Sequence, residues 1–310
     1  MISILLGLVA GIATPTQTSI NGRLRENDRS AYLTTLVSFG GAVIILIMIA
    51  LLTQGGLFIP FGRIAGKTLW IWSGGLCGTI IILMNTVCLP HLGSANTVVL
   101  VSTGQIITGL LIDQFGFFDS PEVRMDLLRT IGAVLVIAGV LLVSYEKDTS
   151  RTPLTGKIIY IIGALIGGAA CGIQVAVNGA LSVVTGSSVQ TTLISMSIGL
   201  ISTALLILLM VLIRGRNSIF DDDTRAADQG YKWWMFTGGA FGVIVVLSNA
   251  IIAPVLGAGL VTILNLVGMM GTGLLIDATG FLDIERKPVT AAKMIGMIAM
   301  TAGTILISLI

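Results

Sequence analysis

Thr108-Gly109-Leu110-Leu111-Ile112-Asp113 and Thr272-Gly273-Leu274-Leu275-Ile276-Asp277 are the same six residues, 164 positions apart. Working outward at that offset, Gly104 falls on Gly268, Gly93 on Gly257, Pro90 on Pro254, Asn85 on Asn249 and Trp70 on Trp234. Gly116-Phe117 recurs as Gly280-Phe281, and Asp119 as Asp283. The overlay from Trp70 to Asp119 needs no gap, which marks an internal duplication. Earlier in the chain the offset is 157. There Gln17 falls on Gln174, Asn21-Gly22 on Asn178-Gly179, Leu24 on Leu181, Ser30 on Ser187 and Ser38 on Ser195. Seven extra residues in the loop around 214–230 account for the change.

The repeated unit is a membrane unit. Of 310 residues, 55% are hydrophobic and only 10% charged, where a soluble domain carries about 25%. No charged residue lies between Lys157 and Arg214, nor from Trp233 to Ile276. A bilayer crossing needs about 20 apolar residues, so each run holds two crossings and a turn. The 39 glycines suit closely packed membrane helices. Cys77, Cys88 and Cys171 are odd in number and lie in apolar segments, which argues against a disulfide framework. Met1 leads into an apolar stretch with no basic region before it, read as a retained first helix.

Ten crossings are expected, near 2–20, 31–53, 68–89, 93–112, 127–145, 158–181, 189–213, 233–252, 257–276 and 292–310. Asn21-Gly22 and the basic residues after it are expected to end the first, and Pro90 and Pro254 to separate the third from the fourth and the eighth from the ninth. The units are 1–148 and 158–310, joined by a polar linker at 149–157. Five crossings per unit is an odd number, so the second unit enters the bilayer from the opposite side. The fold class is therefore all-α integral membrane, ten helices in two inverted five-helix repeats. Thirteen basic residues, from Arg23 to Lys293, fall in the loops of one side; Arg63, Lys67, Arg124 and Arg129 fall on the other. The positive-inside rule then puts both termini outside the cytoplasm.

Polar residues inside the crossings are the candidate solute path. Gln17 and Asn21 share a helix face with Thr14 and Thr18, and Gln174 and Asn178 repeat the two amides. Asn85 and Asn249 form another repeated pair. These residues read as two symmetry-related vestibules, or as glue between helices. Gln105 and Asn265 lie nearer mid-membrane and are not repeated: Met269 and Val101 stand at the equivalent places. Pro15, Pro90 and Pro254 are expected to weaken or break helices, and interrupted helices at matching places in two halves point to a binding site. Asp113 and Asp277 stand at crossing ends, where they are solvated, cap a neighbouring helix, or couple transport to protons. The lack of a charge at the centre of any crossing disfavours a permanently charged cation as solute.

Other classes drop out. His91 is the one histidine, so neither a His-rich metal site nor a second-His catalytic set is available; no metal and no cofactor is expected, and no enzyme. Gly62 to Thr68 is one residue short of a P-loop and precedes a membrane helix. The basic residues are short loop clusters, so no nucleic-acid partner is implied. The partners expected are a small-molecule solute and the lipid bilayer. The chain reads as a self-contained pseudo-dimer, with assembly into a homo-oligomer left open. A secondary-active carrier, a passive channel and a scaffold without flux all remain open on these residues.

The assembled pattern resembles one family. Gly11-x3-Pro15-x-Gln17-x3-Asn21-x2-Leu24, Ser38-Phe39, Trp70-x3-Gly74-Gly75, and Gly104-Gln105 leading to Leu111-Ile112-Asp113-x2-Gly116 are similar to the YdcZ-like family of the drug/metabolite transporter superfamily. Typical members resemble one half of this chain. The second half departs from the pattern at Gly172 and Met269, where the first has Pro15 and Gln105. The resemblance implies a ten-helix bundle in the cytoplasmic (inner) membrane, alternating access, and efflux of small organic solutes.

Overall fold

The computed structural model describes residues 2–54, 56, 66–92, 94–143, 154–220, 230–279 and 290–308. Among them every regular element is a helix. The long helices are α1 (Ile2–Asp28), α2 (Ala31–Gln54), α3 (Gly74–Leu92), α4 (Ser94–Phe115), α5 (Leu127–Val143), α6 (Leu154–Thr185), α7 (Ser188–Arg214), α8 (Gly238–Thr279) and α9 (Ala291–Ser308). Short 3-10 turns at Leu69–Trp72 and Trp233–Thr237 lead into α3 and α8. Six helical stretches are long and apolar enough to cross a membrane, and three shorter apolar helices accompany them. Large apolar side chains such as Ile44, Leu52 and Leu212 are left exposed, the surface that lipid rather than water accepts.

Two boundaries differ from the sequence reading. α1 does not stop at Asn21-Gly22 but runs on to Asp28, because an isolated Asn-Gly costs a helix little when the turn beyond it can still hydrogen-bond. α6 begins at Leu154, inside the expected linker; residues 144–153 lie outside the described set.

The largest departure is α8, 42 residues long. A straight helix of that length would reach about 63 Å, twice the roughly 30 Å hydrocarbon core. It is not straight. At Gly257 the backbone takes φ 78 and ψ 161, a conformation open to glycine. Asn249 and Asn265, eight residues either side, are hydrogen-bonded at 3.0 Å, where a straight helix would hold them about 24 Å apart. α8 is thus a hairpin of two arms, 238–256 and 258–279. The break expected at Pro254 falls at Gly257 instead. Pro254 lies within the first arm, and the carbonyl it deprives of a partner, that of Ala250, accepts the Ser182 hydroxyl of α6 at 2.8 Å. Pro15 likewise lies inside an unbroken α1.

Glycines set the packing, and the contacts come in exchanged pairs. A β-carbon on Gly104 of α4 would lie 2.5 Å from the Leu165 carbonyl oxygen of α6; one on Gly268 of α8 would lie 2.6 Å from that of Leu8 in α1. Gly75 abuts the Ser195 carbonyl, and Gly239 the Ser38 carbonyl. A β-carbon on Gly132 of α5 would lie 2.7 Å from the Gly303 carbonyl oxygen in α9, and one on Gly139 2.6 Å from that of Gly296, so α5 and α9 run antiparallel. Each contact maps onto its partner by the offsets of 157 and 164. Helices of one half thus pack mainly on helices of the other: α1 lies along both arms of α8, and α6 along α3 and α4.

Candidate functional site

The two repeated amide pairs form two separate clusters, each at the start of a helix from the opposite half. In the first, the Asn21 side chain donates to the Ser38 hydroxyl at 3.4 Å. Its Oδ1 is buried without a hydrogen-bond partner and rests against Gly238, the first residue of α8. Gln17 stands one turn back, its Nε2 2.7 Å from where a β-carbon of Gly242 would sit. The second cluster repeats this. Asn178 Oδ1, buried and unpartnered, rests against Gly74, the first residue of α3, beside Ser195. Gln174 donates to the Gly74 carbonyl at 2.9 Å. Glycine is required at 74 and 238 because any β-carbon would strike the asparagine oxygen. The placement has an electrostatic reason: unpaired N–H groups and the positive end of the dipole lie at a helix start, so an amide oxygen is favoured there.

A third polar group lies inside the α8 hairpin. Asn265 donates to Asn249 Oδ1, both side chains being buried. Asn265 Oδ1 has no partner, nor has the hydroxyl of Thr262 one turn before it. The sequence reading put Asn249 in an outer vestibule and Asn265 at mid-membrane; the fold brings them together. Gln105 is half-buried, and its backbone nitrogen lies 2.8 Å from where a β-carbon of Gly168 would sit.

Asp113, at the end of α4, is fully buried. Its carboxylate accepts the N–H of Gly259 at 3.0 Å, at the start of the second α8 arm. A β-carbon on Gly257 would lie 2.8 Å from either carboxylate oxygen. Of the readings open to Asp113, the solvated one is excluded and the cap on a neighbouring helix is observed. Val123 donates its N–H to the Asp113 carbonyl at 2.8 Å, and Arg129 of α5, also buried, donates to the Val123 carbonyl at 2.9 Å. The sequence places Arg129 and its equivalent Lys293, 164 positions on, among the basic residues flanking the crossings; the structure buries both. A repeated basic residue beside a repeated aspartate was the available signal.

The side chains of Asn85, Pro90 and Asp277 lie outside the described residues. Among the described residues no three His, Cys, Asp or Glu side chains gather as a metal site would need. The arrangement is thus a bundle with hydrogen-bonding groups at two helix starts and within one hairpin, and a buried carboxylate at a helix reversal. These amides and hydroxyls are hydrogen-bonding groups set among apolar helices.

The chain is similar to known proteins in sequence and in fold. The family described as "Putative inner membrane exporter, YdcZ" matches residues 2–142 and 159–306. Inner membrane protein YdcZ of Escherichia coli (strain K12) is 24% identical over 139 residues, which is 44% of this chain and 91% of that protein. A protein of known crystal structure superposes with a TM-score of 0.70 over 99% of this chain and 96% of its own, at 16% identity. That last likeness speaks for the fold alone.

Proposed function

The chain belongs to the YdcZ family of drug/metabolite-type transporters, and from that premise we propose that it is a secondary-active carrier exporting a small polar or amphiphilic organic metabolite. As a multi-pass inner-membrane transporter it needs a way to expose one site to two compartments. In this reading the two halves are inverted repeats of five crossings each, with both termini outside the cytoplasm, and they exchange access by rocking about a shared central site. The observation that carries it is the exchange of contacts between halves: Gly104 against Leu165 and Gly268 against Leu8, with α5 and α9 antiparallel through Gly132, Gly139, Gly296 and Gly303. Two halves that swap places under one operation support two opposed states of nearly equal energy, which a carrier requires.

The solute is neutral or zwitterionic. The groups available to meet it inside the bundle are amides, namely Gln17, Asn21, Gln105, Gln174, Asn178, Asn249 and Asn265, while the Asp113 carboxyl group is already engaged with the α8 backbone. Purified protein in liposomes tests the reading. A carrier shows uptake of labelled solute stimulated by unlabelled solute on the far side. Flux without such counterflow would make it a pore, and no flux for any metabolite that stabilises the protein against heat would remove the transport reading.

A further inference from the structure

The internal repeat separates polar residues that the fold requires from those it does not. Thr79 of α3 and Ser202 of α7 meet across the two halves, hydroxyl to hydroxyl, at 2.5 Å. Their equivalents, at offsets of 164 and 157, are Val243 and Ile45. Val243 is buried in an apolar cluster with Leu46 and Met196, and Ile45 packs against it. Equivalent places in the bundle are thus filled by apolar side chains in one copy and by hydroxyls in the other. Taking hydroxyls out of water costs free energy that valine and isoleucine do not incur, so packing alone does not call for them.

Two further side chains reach the same spot. Where a β-carbon of Gly78 would sit, Nε2 of Gln174 from α6 lies at 3.1 Å and Cζ of Phe39 from α2 at 3.4 Å. The Phe39 ring also lies 2.7 Å from where a β-carbon of Gly199 would be, and the Ser202 hydroxyl donates to the Gly199 carbonyl at 3.1 Å. Two helices from each half therefore bring an aromatic ring, a carboxamide and two hydroxyls together. None of the four side chains is fully buried. The equivalent of Phe39 is Met196, so the ring, like the hydroxyls, belongs to one copy only. Hydrogen-bonding capacity is left over. Gln174 uses one N–H on the Gly74 carbonyl, and among the described residues its side-chain oxygen accepts nothing. The two hydroxyls share two protons and keep acceptor lone pairs on both oxygens. An uncharged group that donates and accepts, beside an aromatic ring, is the usual composition of a small-molecule site.

We infer that Phe39, Thr79, Gln174 and Ser202 form the subsite that selects the solute, an uncharged amphiphile with an apolar ring and a hydroxyl or amide group. The ring lies against Phe39, and the polar group exchanges hydrogen bonds with Gln174 and the hydroxyl pair. A permanent cation finds no counter-charge among these four side chains. The inference rests on the carrier reading for its role, but binding is measured without flux.

N-acetylphenylalaninamide, a neutral molecule with a ring and two amides, is the probe. Titrated against the purified full chain in detergent, it should raise the thermal unfolding midpoint in a saturable way, whereas phenylethylammonium, with the same ring and a positive charge, should not. Thr79→Val and Ser202→Ala should each weaken binding of the probe roughly threefold to tenfold, and Phe39→Met by a similar factor. Thr79→Ser keeps the hydroxyl and should bind as wild type does, which separates loss of a hydroxyl from poor folding. No saturable rise with the probe overturns the inference, as does equal affinity in wild type, T79V and S202A, or an equal rise with phenylethylammonium. Probe binding lost in these variants, with no counterflow of any solute, would leave the subsite and remove the carrier. Counterflow with probe affinity unchanged in the variants would do the opposite.

Discussion

The carboxylate of Asp113 accepts the backbone N–H of Gly259 at 3.0 Å, two residues past the point where α8 turns back on itself. One half of the chain thereby caps a helix of the other at its most irregular point. Asp113→Ala leaves that buried N–H unpaired, a loss of about 1–3 kcal/mol. Its thermal unfolding midpoint in detergent should fall clearly, and that of Asp113→Asn, which keeps an acceptor oxygen, should fall less. Equal midpoints for wild type and D113A would show that the bond does not hold the turn.

Ser182 and Ala250 make a second such prediction. The Ser182 hydroxyl meets the carbonyl that Pro254 leaves without a helical partner, at 2.8 Å. Ser182→Ala should destabilise by about 1 kcal/mol. In a Pro254→Ala background the helix can satisfy Ala250 itself, so the same substitution should cost little there. A double-mutant cycle on unfolding midpoints measures the difference.

The crossing of α5 on α9 has no room for a side chain at Gly139, whose β-carbon would lie 2.6 Å from the Gly296 carbonyl oxygen. Gly139→Leu should force the pair apart, at a cost of about 1–3 kcal/mol or more. Gly303→Leu, its equivalent, should do the same by symmetry. The two together should cost less than their sum, because the first already separates the helices. Additive midpoint shifts would speak against a shared crossing.

Gln17 and Gln174 occupy equivalent places in the two amide clusters. Gln17→Leu and Gln174→Leu should each reduce solute flux in liposomes several-fold, with smaller effects on unfolding. A role limited to joining helices predicts the reverse, with lower stability and undiminished flux per folded molecule. Interhelical hydrogen bonds of this type contribute about 0.6 kcal/mol on average, so the structural effect alone is small.

Outside the apolar spans, Tyr231 donates to Asp28 at 3.0 Å, and that bond, with the charge of Asp28, holds the Tyr231 phenol above its ordinary value. A raised pKa in the folded state means that the contact contributes below the ordinary phenol range and is lost as pH climbs through the folded value. Ultraviolet titration of phenolate should show the Tyr231 midpoint falling in Asp28→Asn. An unchanged midpoint would mean that the two side chains do not interact in solution.

Much of this protein was legible in its sequence because helix formation in a bilayer is a local demand. Charge-free runs near 158–213 and 233–276 had to become helices, since lipid satisfies no backbone group. The repeat, at offsets of 164 and 157, set which contacts would come in pairs, and at 157 the correspondence of Gln17 with Gln174 and Asn21 with Asn178. Other features depended on distant partners. Gly257 and not Pro254 turns α8, because a proline inside a helix is tolerated once another helix supplies the missing bond, here from Ser182, while reversal needs a positive φ that glycine supplies. The Asn249–Asn265 pair and the burial of Asp113 exist only after that reversal.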